Sequence, residues 1–356
     1  MRPLAESRRN ESMMYPFRDM ILGPLLAALL AAGIAPARAE DAGELSQALV
    51  AASQRDWATA EARAARSGPI ARDLILWQRL RAGQGSWPEY RDFAARHGDW
   101  PGMALLYKRG DAVLRADLPP AEVTGWFGTR HPDTLNGALA LIAALRATDP
   151  DAARAEIARF WTQQALNKAE SDIFLAAYGA DAAGLHDARV MRLLDLGEWQ
   201  AARVALPLAS EGAQKLANAR LALQSGQSGV DALILALPAA QQADPGLALD
   251  RFRWRVWARM PDLARDLMLE RSTSAEALRD PQAWAGKRAD YARLALRQGD
   301  WAQAEKLAAG HFLEPGTEDY SDLEWLALLL MVPITFSTAA SSPTTFITRR
   351  NFSFIA

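Results

Sequence analysis

The chain has 356 residues, is 50% apolar and 23% charged, and carries a formal net charge of -2. That apolar content is too high for a disordered chain, and the length suits two domains or one elongated array. With no cysteine there is no disulfide framework, thiolate metal site or cysteine nucleophile. His97, His131, His186 and His311 lie far apart, without the short spacing of a helix-borne metal site. No metal site and no cofactor are predicted. Eight valines and eleven isoleucines stand against abundant alanine, leucine and arginine. Strands draw on β-branched residues and helices on the latter set, so the composition predicts an all-α fold.

At the N-terminus, Arg18 precedes an apolar run from Ile21 to Ala35 and the small-residue site Ala37-Arg38-Ala39. These are the three regions of a secretory signal peptide, with cleavage after Ala39; the alternative is an uncleaved anchor or a buried helix. The run is shorter than the roughly 20 residues of a membrane span, so no span is expected once the signal is removed. Residues 1–39 are thus read as a signal peptide with an upstream extension, a start at Met13 or Met14 giving it a better shape.

Residues 40–327 repeat one unit: a periodic helix, a short loop and a second periodic helix. Near Gly299 the first helix offers Tyr291, Leu294 and Ala295, and the second Trp301, Ala304 and Ala308. Spacings of three, four and seven residues set each group on one stripe. Gly299 supplies the turn and Asp300 the N-cap. Val190, Leu193 and Leu194 before Gly197, with Trp199, Ala202 and Leu206 after it, follow the same grammar. So do Leu135, Leu139 and Ile142 before Pro150, with Ala153, Ile157, Phe160 and Trp161 after it. Turns are predicted near 55, 98, 149, 197, 260 and 299. Ser86 with Glu89, Thr273 with Glu276 and Ser321 with Glu324 have the capping-box spacing. A hairpin cannot bury two apolar stripes alone, and stacking hides them. The predicted architecture is therefore a superhelical α-solenoid of stacked helical hairpins, TPR-like in kind.

The character changes after Ala327. Residues 328–356 contain no Asp or Glu and hold five of the chain's thirteen threonines. They are read as an aberrant, out-of-frame tail or a disordered one. Seven arginines and three acids lie outside 40–327, so the body holds 33 basic and 39 acidic residues, net -6. That balance argues against non-specific nucleic-acid binding, which rests on phosphate neutralisation.

The stretches ARDLILWQRLRAGQGSWPEYRDFAARHGDWPGMALL, DPGLALDRFRWRVWAR, LMLERS and DYSDLEWLA, in this order, resemble the helical U-shaped domain of soluble lytic murein transglycosylases. The resemblance covers roughly 40–327. It implies a periplasmic protein whose partners are peptidoglycan glycan strands. In that family a C-terminal lysozyme-like domain cleaves the MurNAc–GlcNAc bond, one glutamic acid serving as acid and then base, and leaves a 1,6-anhydro end. Glu-Ser and Gly-Leu-Met-Gln motifs mark that domain. The body's only Glu-Ser pair is Glu170-Ser171, with no Gly-Leu-Met-Gln after it. Glu170 is read as a helix-start carboxylate favoured by the dipole. No catalytic residue is assigned, and these residues alone are expected to be inactive.

The segment 251–259 is the densest arginine–tryptophan cluster. As a strand it would put Arg251, Arg253 and Arg255 on one face; as a helix it aligns Arg251, Arg255 and Arg259, and the flanking residues favour helix. Arg251, Arg255, Trp254 and Trp257 are candidate glycan contacts. The bland reading pairs the arginines with Asp250, Asp262, Asp266 or Glu270. Most tryptophans, Trp57, Trp199 and Trp301 among them, open a second helix and are expected to wedge between hairpins in the core. The acidic run 314–324 lacks the glycine and ligand spacing of a cation loop and reads as the start of a helix. A competing function is a free-standing periplasmic solenoid that binds another protein through its concave face.

Overall fold

A computed structural model describes residues 39–331. Ala37 and the rest of the predicted signal peptide lie outside the described residues, except Ala39, which opens the first helix. Residues 332–356 of the predicted tail also lie outside them. Among the described residues every regular element is a helix, which meets the all-α expectation.

In chain order the helices are α1 (Ala39–Ser53), α2 (Trp57–Arg66), α3 (Pro69–Arg81), α4 (Trp87–Arg96), α5 (Met103–Ala112), α6 (Pro120–Phe127), α7 (Leu135–Thr148) and α8 (Pro150–Gln163). There follow α9 (Lys168–Ala182), α10 (His186–Asp195), α11 (Trp199–Ala205), α12 (Glu211–Gln224), α13 (Val230–Leu235), α14 (Ala239–Gln242), α15 (Pro245–Trp257) and α16 (Pro261–Arg271). The last are α17 (Ala275–Leu278), α18 (Gln282–Arg297), α19 (Trp301–Ala309) and α20 (Glu318–Met331). The change of composition at 328 therefore falls inside α20.

One turn is used repeatedly. After α1, α10, α15 and α18 the chain passes through a left-handed residue: Arg55 (φ 62°), Gly197 (φ 76°), Arg259 (φ 59°) and Gly299 (φ 78°). The next residue's N–H then reaches back five positions, as from Asp56 to Ala51 O (3.0 Å) and from Asp300 to Ala295 O (2.9 Å). This Schellman arrangement satisfies carbonyls that the helix end leaves free. The following helix starts two residues on. Asp56 and Asp300 cap α2 and α19, accepting from the N–H of Thr59 (3.2 Å) and Gln303 (3.0 Å). The turns predicted near 55, 197, 260 and 299 are these.

The capping boxes differ in part. Glu89 accepts from the Ser86 N–H and hydroxyl, both at 2.8 Å, as predicted. The start of α17 is capped by Ser274, which accepts from Ala277 N–H (3.1 Å), one residue after the predicted Thr273. Ser321 lies inside α20, and Thr317 accepts from Tyr320 N–H (3.1 Å) in its place. In the acidic stretch both Thr317 and the first-turn Glu318 and Asp319 suit a helix N-terminus.

The chain divides into two compact units, with the boundary between Glu156 and Ile157 inside α8. In the first, α1–α3 enclose a core of Ala48, Ala51, Ala52, Ala60, Ala64, Ala71 and Ile75. A larger, aromatic cluster follows, built on Trp77, Trp87, Tyr90, Phe93, Trp126 and Phe127. In the second unit α10 packs on α11 and α12, α12 on α13 and α15, and α15 on α16 and α17. The last cluster, around Phe252, Trp284, Leu307 and Leu323, joins α15 through α20. Phe252 stacks on Trp284 with ring centroids 4.2 Å apart.

Of the tryptophans expected in the core at helix starts, Trp57 packs against the alanine cluster of α1–α3, but Trp199 and Trp301 correct the expectation. Trp199 and Trp301 are about half exposed, at 50% and 51%, and only Ala202, Ala304 and Ala308 of their stripes are fully buried. A side chain leans toward the N-terminus of its helix, and at the first position no preceding turn lies beneath it. Trp87 occupies the same position but is buried, because Trp126 meets it edge-on at 4.9 Å and Glu122 accepts its indole N–H (2.7 Å). Leu294 is likewise on the rim rather than in the core.

Candidate functional site

The predicted arginine–tryptophan segment lies in the second unit, on α15. Asp244 caps this helix by accepting from Leu247 N–H (2.8 Å), and Pro245 takes the first position, where its missing N–H costs nothing. Its inner face buries Leu247, Ala248, Leu249, Asp250 and Phe252. Burial of that face leaves the arginines outward, Arg253 exposed and Arg251 and Arg255 half-buried. The segment is thus a helix rather than a strand.

Two of the four candidate residues are tethered. Arg255 donates to Leu263 O (2.7 Å) at the start of α16. Burial, with the positive charge of Arg251 beside it, holds the Arg255 guanidinium below the usual arginine range. Trp254 packs against the cluster of Leu216, Leu223 and Val230, and its buried indole N–H has no partner. Trp257 is different. It is 56% exposed and lies across Gly226, its ring 3.4–3.8 Å from the position a β-carbon there would take. Gly226 is left-handed (φ 68°) in the turn after α12. A glycine there lets an aromatic ring rest against the backbone.

The arginines do not form the predicted row of three. The helix ends at Trp257, and Arg259, at φ 59°, turns off the stripe. Nor do Arg251, Arg255 and Arg259 form ion pairs with the acids proposed for them: among the described residues none is joined to Asp250, Asp262, Asp266 or Glu270. The charges of Asp266 and Glu270 nevertheless reach Arg255, and that of Arg253 reaches Asp250. Asp262 and Asp266 both pair with Arg265, at 3.1 and 3.4 Å.

Asp250 serves a buried network instead. Arg220 of α12 donates to it through Nε (2.7 Å) and to Asp195 of α10 through Nη2 (2.9 Å). Gln224 donates to both Asp250 oxygens (3.0 and 3.1 Å), and Arg279 holds the outer oxygen of Asp195. Burial works against the Arg220 charge, but the two carboxylates outweigh it and raise its pKa above the usual arginine value. This network fixes α15 against α10 and α12, and so sets the attitude of the outer arginines. Sequence reading missed it because its partners are 25, 30 and 84 residues apart.

Glu170 sits at the third position of α9. It accepts from Asn167 N–H (3.0 Å) and its own N–H donates to Asn167 Oδ1 (3.0 Å), a capping box. Its carboxylate is thus occupied in starting a helix. Among the described residues no group of three or more His, Asp or Glu could hold a metal ion. No described helix is long and apolar enough to cross a membrane. Comparison of the chain with family models, curated proteins and solved structures returns no match.

Proposed function

We propose that the helical body is a TPR-like solenoid of stacked hairpins and serves as the substrate-positioning scaffold of a periplasmic peptidoglycan lytic transglycosylase. In this reading glycan strands lie on the outer face of α15, and the helices position substrate without performing chemistry. The contact pattern, in which helices pack on their neighbour and often on the next but one, supports stacking. The resemblance of residues 40–327 to the family's U-shaped domain supplies the substrate class.

One observation carries the site: Trp257 offers a half-exposed indole braced on Gly226, one helical turn after the exposed Arg253 and on the same helix as the half-buried Arg251. A flat apolar ring suits the face of a sugar, and outward guanidinium groups suit the carboxylates of peptidoglycan stem peptides. Retention of the full chain on purified sacculi tests it. Trp257→Ala should weaken retention about tenfold, the loss of roughly 1.4 kcal/mol of stacking. Arg251→Ala should weaken it in a salt-dependent way. Unchanged retention in both variants removes the reading.

The alternative, a periplasmic adaptor for another protein, is favoured by α20. There Trp325, Leu328 and Leu329 are exposed at spacings of three and four residues, one apolar stripe. Indifference to sacculi, with cross-linking to a partner protein that ceases on Leu328→Glu, would favour the adaptor.

A further inference from the structure

Three arginines of the second unit are buried, and they differ in what faces them. Arg220 has two carboxylates. Arg288 of α18 has none, is likewise pushed down to about 10 by burial and keeps one unpartnered nitrogen, Nε, but it donates to Leu307 O (3.1 Å) at the end of α19 and to the Ser272 hydroxyl (2.6 Å). Arg189 of α10 has neither arrangement. It is 0% exposed, donates through Nη1 to Trp161 O alone, and leaves Nε and Nη2 buried without a partner. The carbonyl it meets is in the last turn of α8, where the helix dipole favours a cation but supplies no full counter-charge. Burial alone pushes its pKa down to about 10, with no carboxylate offsetting it.

The Trp161 indole against Arg189, the His186 ring on that indole, and Ser171, one turn from the Phe174 ring stacked there, share the same want. The Arg189 guanidinium carbon lies 4.1 Å from the centroid of the Trp161 ring. Trp161 Nε1, also buried, has no acceptor. His186, one turn before Arg189 on α10, meets the same ring edge-on at 5.7 Å, and its Nδ1 is buried and unpartnered. Phe174 stacks on Trp161 at 5.4 Å, and Ser171, one turn before it on α9, has a buried unpartnered hydroxyl. Three of these unsatisfied groups, Arg189 Nε, Arg189 Nη2 and Trp161 Nε1, only donate. Ser171 donates by rotation and His186 by choice of tautomer. A buried donor left unpaired is costly, and a buried charge without compensation more so. A water molecule would accept some of these bonds but bring donors of its own and leave the charge standing.

We propose that this cluster holds one small inorganic anion of the halide class, bound by Arg189 with the Trp161 indole and the Ser171 hydroxyl as further donors. The anion neutralises Arg189 and ties α8, α9 and α10 together. It is independent of the glycan-facing surface of α15.

The test uses the full chain, moved from sodium gluconate into sodium chloride at constant ionic strength. The melting temperature should rise with chloride and saturate. Bromide should replace chloride and give an anomalous diffraction peak within hydrogen-bonding distance of Arg189. Ser171→Ala should weaken the apparent chloride affinity about fivefold, as loss of one hydrogen bond near 1 kcal/mol requires. Arg189→Met should make the melting temperature indifferent to chloride. If Arg189→Met does not fold, Ser171→Ala decides, and chloride dependence equal to that of the parent overturns the proposal. So does a flat chloride titration, or a bromide map with no peak at Arg189.

Discussion

Asp111 of α5 is a carboxyl group with almost no access to water. Burial pushes its pKa up to about 6, against the pull of the Trp126 indole N–H, which donates to it at 2.7 Å. A folded-state pKa above the unfolded value means that protonation favours the fold. Stability from this group is present below the unfolded pKa, near 3.8, and is lost as pH rises through about 6. A shift of this size corresponds to about 2–3 kcal/mol. Glu89 works in the opposite sense and in another window. Burial would raise it, but Arg79 and the Ser86 N–H bring it down to about 2, so its contribution is lost only below the usual carboxylate range. Asp111→Asn keeps an acceptor for Trp126 and removes the proton. The variant should lose the decline in stability between pH 4 and 6 and exceed the parent at pH 7, as urea unfolding across that range will read.

At the scale of elements, the turn that joins α1 to α2 uses an arginine where its counterpart before α19 uses glycine. Arg55 adopts φ 62°, a conformation that costs an L-residue roughly 1–2 kcal/mol. Arg55→Gly relieves this, offset in part by the greater freedom glycine gives the unfolded chain, and should stabilise by about 0.5–1 kcal/mol in chemical denaturation. Gly246 near the start of α15 behaves oppositely. Helix propensity alone would favour alanine there by about 1 kcal/mol. A β-carbon, however, would fall 2.6–2.9 Å from the Arg220 guanidinium. Displacing Arg220 leaves Asp250 buried without its partner, a loss of about 3–5 kcal/mol when complete. Gly246→Ala should therefore lower stability by about 2–4 kcal/mol, and a rise in its melting temperature would contradict the role assigned to the network.

Across the molecule, what could be read in advance was local. The helical class followed from composition. Turns followed from Gly197, Gly299 and Asp300, whose conformational needs act within a few residues. Pro150 and the Ser86–Glu89 box worked for the same reason. The outward fate of Trp199 and Trp301 was not legible, because the same first position buries Trp87 when Trp126 stands opposite. At the candidate site the helix was legible from the residues that flank it, but which arginines it turns outward was not, because the helix ends at Trp257 before Arg259. The platform under Trp257 and the Asp195–Arg220–Asp250 network were not, because they join distant parts of the chain.

The alanine core of α1–α3 has a consequence for how the first unit opens. Six of its seven buried members carry a single methyl group, whereas the neighbouring cluster encloses the two-ring side chains of tryptophan and the single rings of phenylalanine and tyrosine in close aromatic contact. Less apolar surface leaves water per residue at that end, so less free energy resists its separation. Amide protons of α1 and α2 should exchange with deuterium well before those of α4 and α5, through fraying that leaves the aromatic cluster closed. Simultaneous exchange of both sets would mean that the end of the unit is held by something other than its own side chains.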